Sequence, residues 1–181
     1  MLLSYNELVV LQETGVIENS DPGHVNGASI DVTLGPVVLC ERVAVEHSVV
    51  YLAKKAAPRM FQRNISANGI VLAPGDFILA ETEQVFNLTP NVAAEFKLKS
   101  SAARAGLQHA LAGWCDPGWH GSVLTLELIN ATRHHYLHLE AGMKIGQMIF
   151  YLVPPVPTEA SYAVRGQYNG DKTATASKGL R

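Results

Sequence analysis

The residues between Lys99 and Asn130, KSSAARAGLQHALAGWCDPGWHGSVLTLELIN, carry anion-binding chemistry at one end and acid/base chemistry at the other. At the first end, Ser100 or Ser101 is placed to cap a short helix through Ala102, Ala103 and Arg104, with Gly106 positioned to end it. Backbone N–H groups, serine hydroxyls and Lys99 around a helix N-terminus attract anions. Arg104 adds a planar fork of donors suited to a phosphate or a carboxylate. The same residues also make an ordinary capped helix with a solvated arginine, and taken alone they favour that plainer reading.

Glu127 is less ordinary. In VLTLELI, Leu124, Leu126 and Leu128 share one strand face, while Val123, Thr125, Glu127 and Ile129 share the other. A carboxylate among so many aliphatic neighbours is expected to sit partly out of water, the setting that tunes a general base. A carboxylate ion-paired with Arg104 or Arg133 satisfies the same pattern, and the two readings stand level. Between helix and strand, Ala112-Gly113, Asp116-Pro117-Gly118 and Gly121 force a tight loop whose backbone can meet the edge of a pyrimidine. Asp116 can accept from a sugar hydroxyl, although a turn aspartate is its commoner role.

Other polar residues point to structure first. His109, beside Leu111, can hydrogen-bond near a site but reads first as a satisfied structural histidine, and Asp31, a second candidate site residue, reads first as an acid fixing a turn. His134, His135 and His138 read as surface positions rather than a metal set. A zinc deaminase needs an H-x-E motif together with P-C-x-x-C, and that combination does not occur.

KSSAARAGL, AGWCDPGWHG, LTLELIN and AGMKIGQMIF, preceded by VNGASIDVTLG, run in the order seen in the dCTP deaminases, members of the dUTPase-like superfamily, and the chain resembles that family from Asn26 to about Ser177. The resemblance implies a mainly β fold, the β-clip or distorted jelly-roll barrel, with one or two short helices. It also implies a homotrimer with active sites between subunits, and zinc-independent deamination of dCTP. In that picture Glu127 is the base, and Ser100 and backbone groups near Ala112 hold the attacking water. Arg104 stabilises the site, and Asp116 binds the sugar. Lys99, Ser100 and Ser101 meet a triphosphate that shares its charge with Mg²⁺. Tyr162, Arg165, Tyr168 and Lys172 belong to an arm that closes over the nucleotide.

The elements that must position these residues fit one domain spanning 1–181. The chain has 181 residues and a formal net charge of −2, with no basic field of the kind a nucleic-acid binder uses. No signal peptide and no bilayer-spanning apolar run are present, and two cysteines, Cys40 and Cys115, fit a reducing cytoplasm. Ser4 and Glu7 form a capping box for a first helix that Gly15 stops. Strands are expected at Ser29 to Leu34, in the valine-rich stretch from Val37 to Val50, twice within Gly69 to Leu79 around Pro74-Gly75, and at Glu81 to Phe86. The basic cluster Lys54, Lys55, Arg59 and Arg63 reads as a solvated loop. Further strands are expected at Tyr136 to Leu139 and Lys144 to Val153, with a close backbone contact at Gly146-Gln147. Many short strands at close turn spacing indicate an all-β sandwich or jelly roll.

From Pro154 onward the composition has little core-forming power and reads as a mobile arm, 154–181. Within RGQYNGDKTATAS, Gln167 stands where the family usually has a lysine, and Asp171 where it usually has a glutamine. A lost cation and a gained anion should weaken triphosphate binding unless Lys172 or Arg165 substitutes. The product is open between dUTP and dUMP, and a modified cytosine nucleotide is a further candidate substrate. Two other readings remain: a dUTP pyrophosphatase, against which Glu127 argues, and a nucleotide-binding regulatory module without catalysis, which the altered tail favours.

Overall fold

The computed structural model describes residues 1–42 and 49–180. Part of the valine-rich stretch, residues 43–48, therefore lies outside the described residues. Helix α1 (Tyr5–Glu13) starts at the expected capping box, the Ser4 N–H donating to the Glu7 carboxylate at 2.9 Å. Leu8 is its buried contact with the core.

The strands are β1 (Ile17–Glu18), β2 (Ile30–Glu41), β3 (Met60–Asn64), β4 (Ile70–Leu72), β5 (Phe77–Asn87) and β6 (Val92–Leu98), then β7 (Leu107–His109), β8 (Trp114–Cys115), β9 (His120–Asn130), β10 (Leu137–Leu139) and β11 (Lys144–Leu152). Helix α2 (Ser100–Arg104) lies between β6 and β7, and α3 (Tyr162–Arg165) follows β11. Among the described residues nine strands form one curled sheet in the order β7-β9-β5-β2-β11-β6-β8, with β1 on β5 and β3 on β2. β4 and β10 make a separate ribbon. Leu126 and Leu128 of β9 bury completely with Ile30, Val32, Leu34, Met148 and Phe150, so the apolar alternation of these strands forms the core and leaves the opposite face of β9 free for Glu127.

Several boundaries differ from the sequence expectation. The strand expected at Ser29 to Leu34 runs on to Glu41, through Gly35-Pro36, because Pro36 falls where the β2–β5 ladder lapses between Leu34 and Val38 and no donor is required. The separate strands ending at Leu79 and spanning Glu81 to Phe86 are one strand, β5, whose ladder with β9 shifts register between Glu81 and Val85 and again between Phe86 and Asn87. Part of the basic loop, Met60–Asn64, is the edge strand β3, whose charged and exposed residues suit an unprotected sheet edge. Lys99, not a serine, occupies the N-cap of α2; Ser100 and Ser101 are its first helical residues.

The expected close contact at Gly146 is present: a Cβ there would collide with the Phe96 ring and lie 2.9 Å from the Lys97 carbonyl oxygen. Among the described residues no helix is long and apolar enough to cross a membrane.

Candidate active site

Glu127 projects from β9 into a cavity of about 550 Å³. Trp114, Trp119, Tyr162 and Tyr168 supply aromatic wall, Met60, Phe77 and Leu79 apolar wall, and Ala112 part of the rim loop. No lysine, arginine or histidine lines it among the described residues. This aromatic and apolar lining suits stacking on a flat ring.

The Glu127 side chain is 27% exposed, and its Oε2 is buried 3.2 Å from Nε2 of His109, whose own side chain is 4% exposed. The two atoms stand within ion-pair distance but form no hydrogen bond, and neither has a hydrogen-bond partner elsewhere. A buried carboxylate oxygen without a donor is costly unless a bound water or ligand supplies one. His109 is fixed edge-on against Phe96 with ring centroids 4.8 Å apart. Neither Arg104 nor Arg133 pairs with Glu127 within the chain, so the proposed intrachain ion pair is not formed.

The rim loop is set by backbone geometry. Gly113 lies against Phe96, which donates its N–H to the Gly113 carbonyl at 2.8 Å, and a Cβ at Gly113 would lie 2.9 Å from the Phe96 oxygen. Leu111 is left-handed at φ +62 and 88% exposed, a strained placement for a branched side chain next to Ala112. Gly118, at φ +84, leaves room for the Ser161 hydroxyl, and the Tyr162 N–H donates to the Pro117 carbonyl at 3.0 Å, docking the last part of the chain on the loop. Burial pushes the Tyr162 phenol above its usual range, only partly offset by the Tyr168 N–H donating to its oxygen. Burial likewise raises the Cys115 thiol, helped by the nearby Asp116 charge, so it is an inert part of the wall.

A family model described as dCTP deaminase-like matches residues 2–153. The chain belongs to the dCTP deaminase-like family. It is 33% identical over 171 residues to a protein of Methanosphaerula palustris named dCTP deaminase, dUMP-forming, covering 90% of this chain and 86% of that protein. It is 35% identical over 187 residues to a protein of the same name from a Nocardioides species, covering 98% of this chain and 95% of that protein. Among solved structures, the 2'-deoxycytidine 5'-triphosphate deaminase of Agrobacterium tumefaciens matches with a TM-score of 0.64 at 20% identity, over 83% of this chain but only 47% of that one. A dUTPase from Streptococcus mutans matches with a TM-score of 0.50 at 14% identity, over 76% and 88%. These likenesses establish the dUTPase-like β fold that the motif order implied.

Not every dCTP deaminase motif residue reaches the cavity. Glu127, Ala112, Tyr162 and Tyr168 line it. Ser100, Ser101 and Arg104 sit exposed on α2 and do not. Lys99 turns away to Asp31, with Nζ 2.6 Å from its carboxylate, and Lys144 approaches the same carboxylate at 3.4 Å. Asp116 is exposed and accepts from the Trp114 indole at 2.9 Å. Lys172 lines a neighbouring polar crevice with Glu81, Glu83 and Asn19 instead of the cavity.

Two contacts were not fixed by the sequence reading. His109, read there first as a satisfied structural histidine, lies beside Glu127 because the β7–β9 register sets it opposite Leu128. Lys178 answers the change at Asp171: its ammonium lies 2.9 Å from each Asp171 oxygen, donates to the Gln167 carbonyl at 2.7 Å and sits 4.9 Å from the centre of the Tyr168 ring. The anion gained at Asp171 is therefore neutralised within the chain.

Proposed function

We propose that this enzyme removes the 4-amino group of dCTP by hydrolysis and continues to dUMP and pyrophosphate. The observation that carries the proposal is the Glu127 carboxylate, with one buried oxygen lacking a hydrogen-bond partner, on the wall of a cavity with ample room for a base. The dUMP-forming names of relatives that this chain matches nearly end to end support the second step.

In the first step Glu127 takes a proton from water as its oxygen attacks C4 of cytosine. Protons pass to N3 and to the departing amine, which leaves as ammonia, so dCTP and water become dUTP and ammonia. Trp114, Trp119 and Tyr168 limit bulk water around the ring. In the second step water attacks the α-phosphorus and pyrophosphate departs.

Among the described residues no cation lines the cavity, and in this reading the triphosphate extends beyond it. The exposed corner of Ser100, Ser101 and Arg104 suits phosphates but stands outside this cavity, which supports a site completed by α2 of a second copy in a homotrimer. Among the described residues no three His, Cys, Asp or Glu side chains group closely enough to hold a metal. Mg²⁺ would enter with the nucleotide, carried by its phosphates and water. The metal would supply charge neutralisation at the phosphates.

Incubation with dCTP and Mg²⁺, followed by ammonia assay and separation of dUTP from dUMP, tests the proposal. Ammonia with equimolar dUMP is expected. Ammonia with dUTP alone removes the second step, pyrophosphate from dUTP without any ammonia from dCTP makes the chain a pyrophosphatase, and binding without turnover makes it a regulatory module.

A further inference from the structure

The segment after α3 crosses β5 and β9 where their ladder lapses. Glu81 pairs with Thr125 and the next paired position is Val85 with Val123, so more residues of β5 than of β9 lie between the two pairs. The segment docks along this bulge. The Val123 N–H donates to the Asp171 carbonyl at 2.9 Å, and the Thr175 N–H donates to Thr125 Oγ1 at 3.2 Å.

Between those points stands Glu81, an acid only 5% exposed that no part of the proposed chemistry uses. Its Oε1 accepts from the Val37 N–H at 3.1 Å, and its Oε2 accepts from the Thr173 hydroxyl and the Ala174 N–H, both at 2.8 Å. Two of these three donors come from the C-terminal segment. Gly35 makes the geometry feasible, because a Cβ at that position would collide with the Glu81 side chain. A carboxylate withdrawn from water in a sheet bulge is retained only where it is well supplied with donors, and here the segment itself is the main supplier. The residues on either side of the anchored pair, Tyr168, Asp171, Thr175 and Ser177, form one wall of the Glu127 cavity.

We propose that Glu81 is a positioning residue: its carboxylate anchors Thr173 and Ala174, and through them holds the C-terminal wall of the cavity in place before the nucleotide arrives. An unanchored segment would have to be ordered during binding, and that entropy cost falls on substrate affinity rather than on the chemical step. The kinetic consequence rests on the dCTP deaminase reading; the anchoring itself does not.

Hydrogen exchange of the full chain without nucleotide, and steady-state dCTP deamination, are compared for wild type, Glu81→Gln, Thr173→Val and Thr173→Ser. Thr173 is exposed, so its replacement removes one donor and leaves the core intact. Both Glu81→Gln and Thr173→Val are expected to accelerate exchange across 171–177 by about tenfold, with KM for dCTP rising several-fold and kcat within about twofold of wild type. Thr173→Ser, which keeps the hydroxyl, should behave as wild type.

Unchanged exchange in Thr173→Val overturns the anchor, and that variant decides alone if Glu81→Gln does not fold. Accelerated exchange with an unchanged KM overturns the positioning role. If wild type turns over no dCTP yet the variants exchange faster, the anchor stands and the deaminase reading falls.

Discussion

At the scale of single residues, the proposed chemistry turns on a carboxylate that is largely withdrawn from water and has one oxygen without a hydrogen-bond donor. Glu127→Gln keeps the volume and polarity of the side chain but removes the proton acceptor. Bound dCTP should be retained while ammonia release falls by about a hundredfold or more, measured by equilibrium binding and by steady-state assay. His109 is the second test. Replacing it by phenylalanine keeps a ring against Phe96 and deletes the nitrogen beside Glu127. If His109 holds Glu127 in its productive orientation, kcat should fall about tenfold with KM little changed, and a wild-type kcat would make the histidine packing alone. Periodicity placed Glu127 on the strand face opposite Leu124, Leu126 and Leu128. Nothing in spacing could say that His109, eighteen positions earlier, would lie beside it, because that contact is made by strand pairing.

Among the secondary-structure elements, β2, β6, β11 and α2 meet around Asp31 and Phe96. Burial alone would raise the Asp31 carboxyl, but hydrogen bonds from Lys99 and Asn26, the Lys99 charge and Lys144 outweigh it and hold the group below its usual range. A carboxyl depressed in the folded state stabilises the fold above its unfolded pKa of about 3.9, and that contribution disappears as pH falls through the lower folded value. Asp31→Asn should therefore cost stability at pH 7, with the gap to wild type closing below about pH 4. Urea midpoints at several pH values check this. Gly146 tests the packing of β11 on β6: Gly146→Ala must push on the Phe96 ring and the Lys97 carbonyl, and should lower unfolding free energy by about 1–3 kcal/mol. The dipeptide Gly146-Gln147 announced a close approach in the sequence; its partner, Phe96, became evident only through the β6–β11 register.

For the whole molecule, Ser100 and Arg104 standing outside the lining of the Glu127 cavity is the fact that must be explained. If one subunit lends its α2 to the cavity of the next, Glu127→Gln and Arg104→Ala chains are each inactive alone, but mixed trimers contain intact sites. Unfolding and reassembling an equal mixture should restore turnover at about one site in four, read as ammonia release. No recovery would place both halves of the site in one chain. The segment from 154 to 180, which composition marked as poor in core-forming residues, nonetheless packs closely: Ala174 is buried, and the Trp119 indole donates to the Tyr168 carbonyl at 3.0 Å. It gains its place through hydrogen bonds to groups already fixed by the sheet, a kind of attachment that hydrophobic patterning does not register.

The order of motifs and the alternation of apolar residues along strands such as β9 were enough by themselves to indicate family, β architecture and the candidate base, since those depend on residue type and short-range period. Where the bulge between β5 and β9 opens, which acid it buries, and which lysine neutralises Asp171 depend on contacts between positions far apart in the chain. Such contacts are set by strand register and by the space a glycine such as Gly35 leaves empty. A one-residue change in register would exchange the faces of a strand without altering a letter of the sequence, and so the site's walls belong to the tertiary structure.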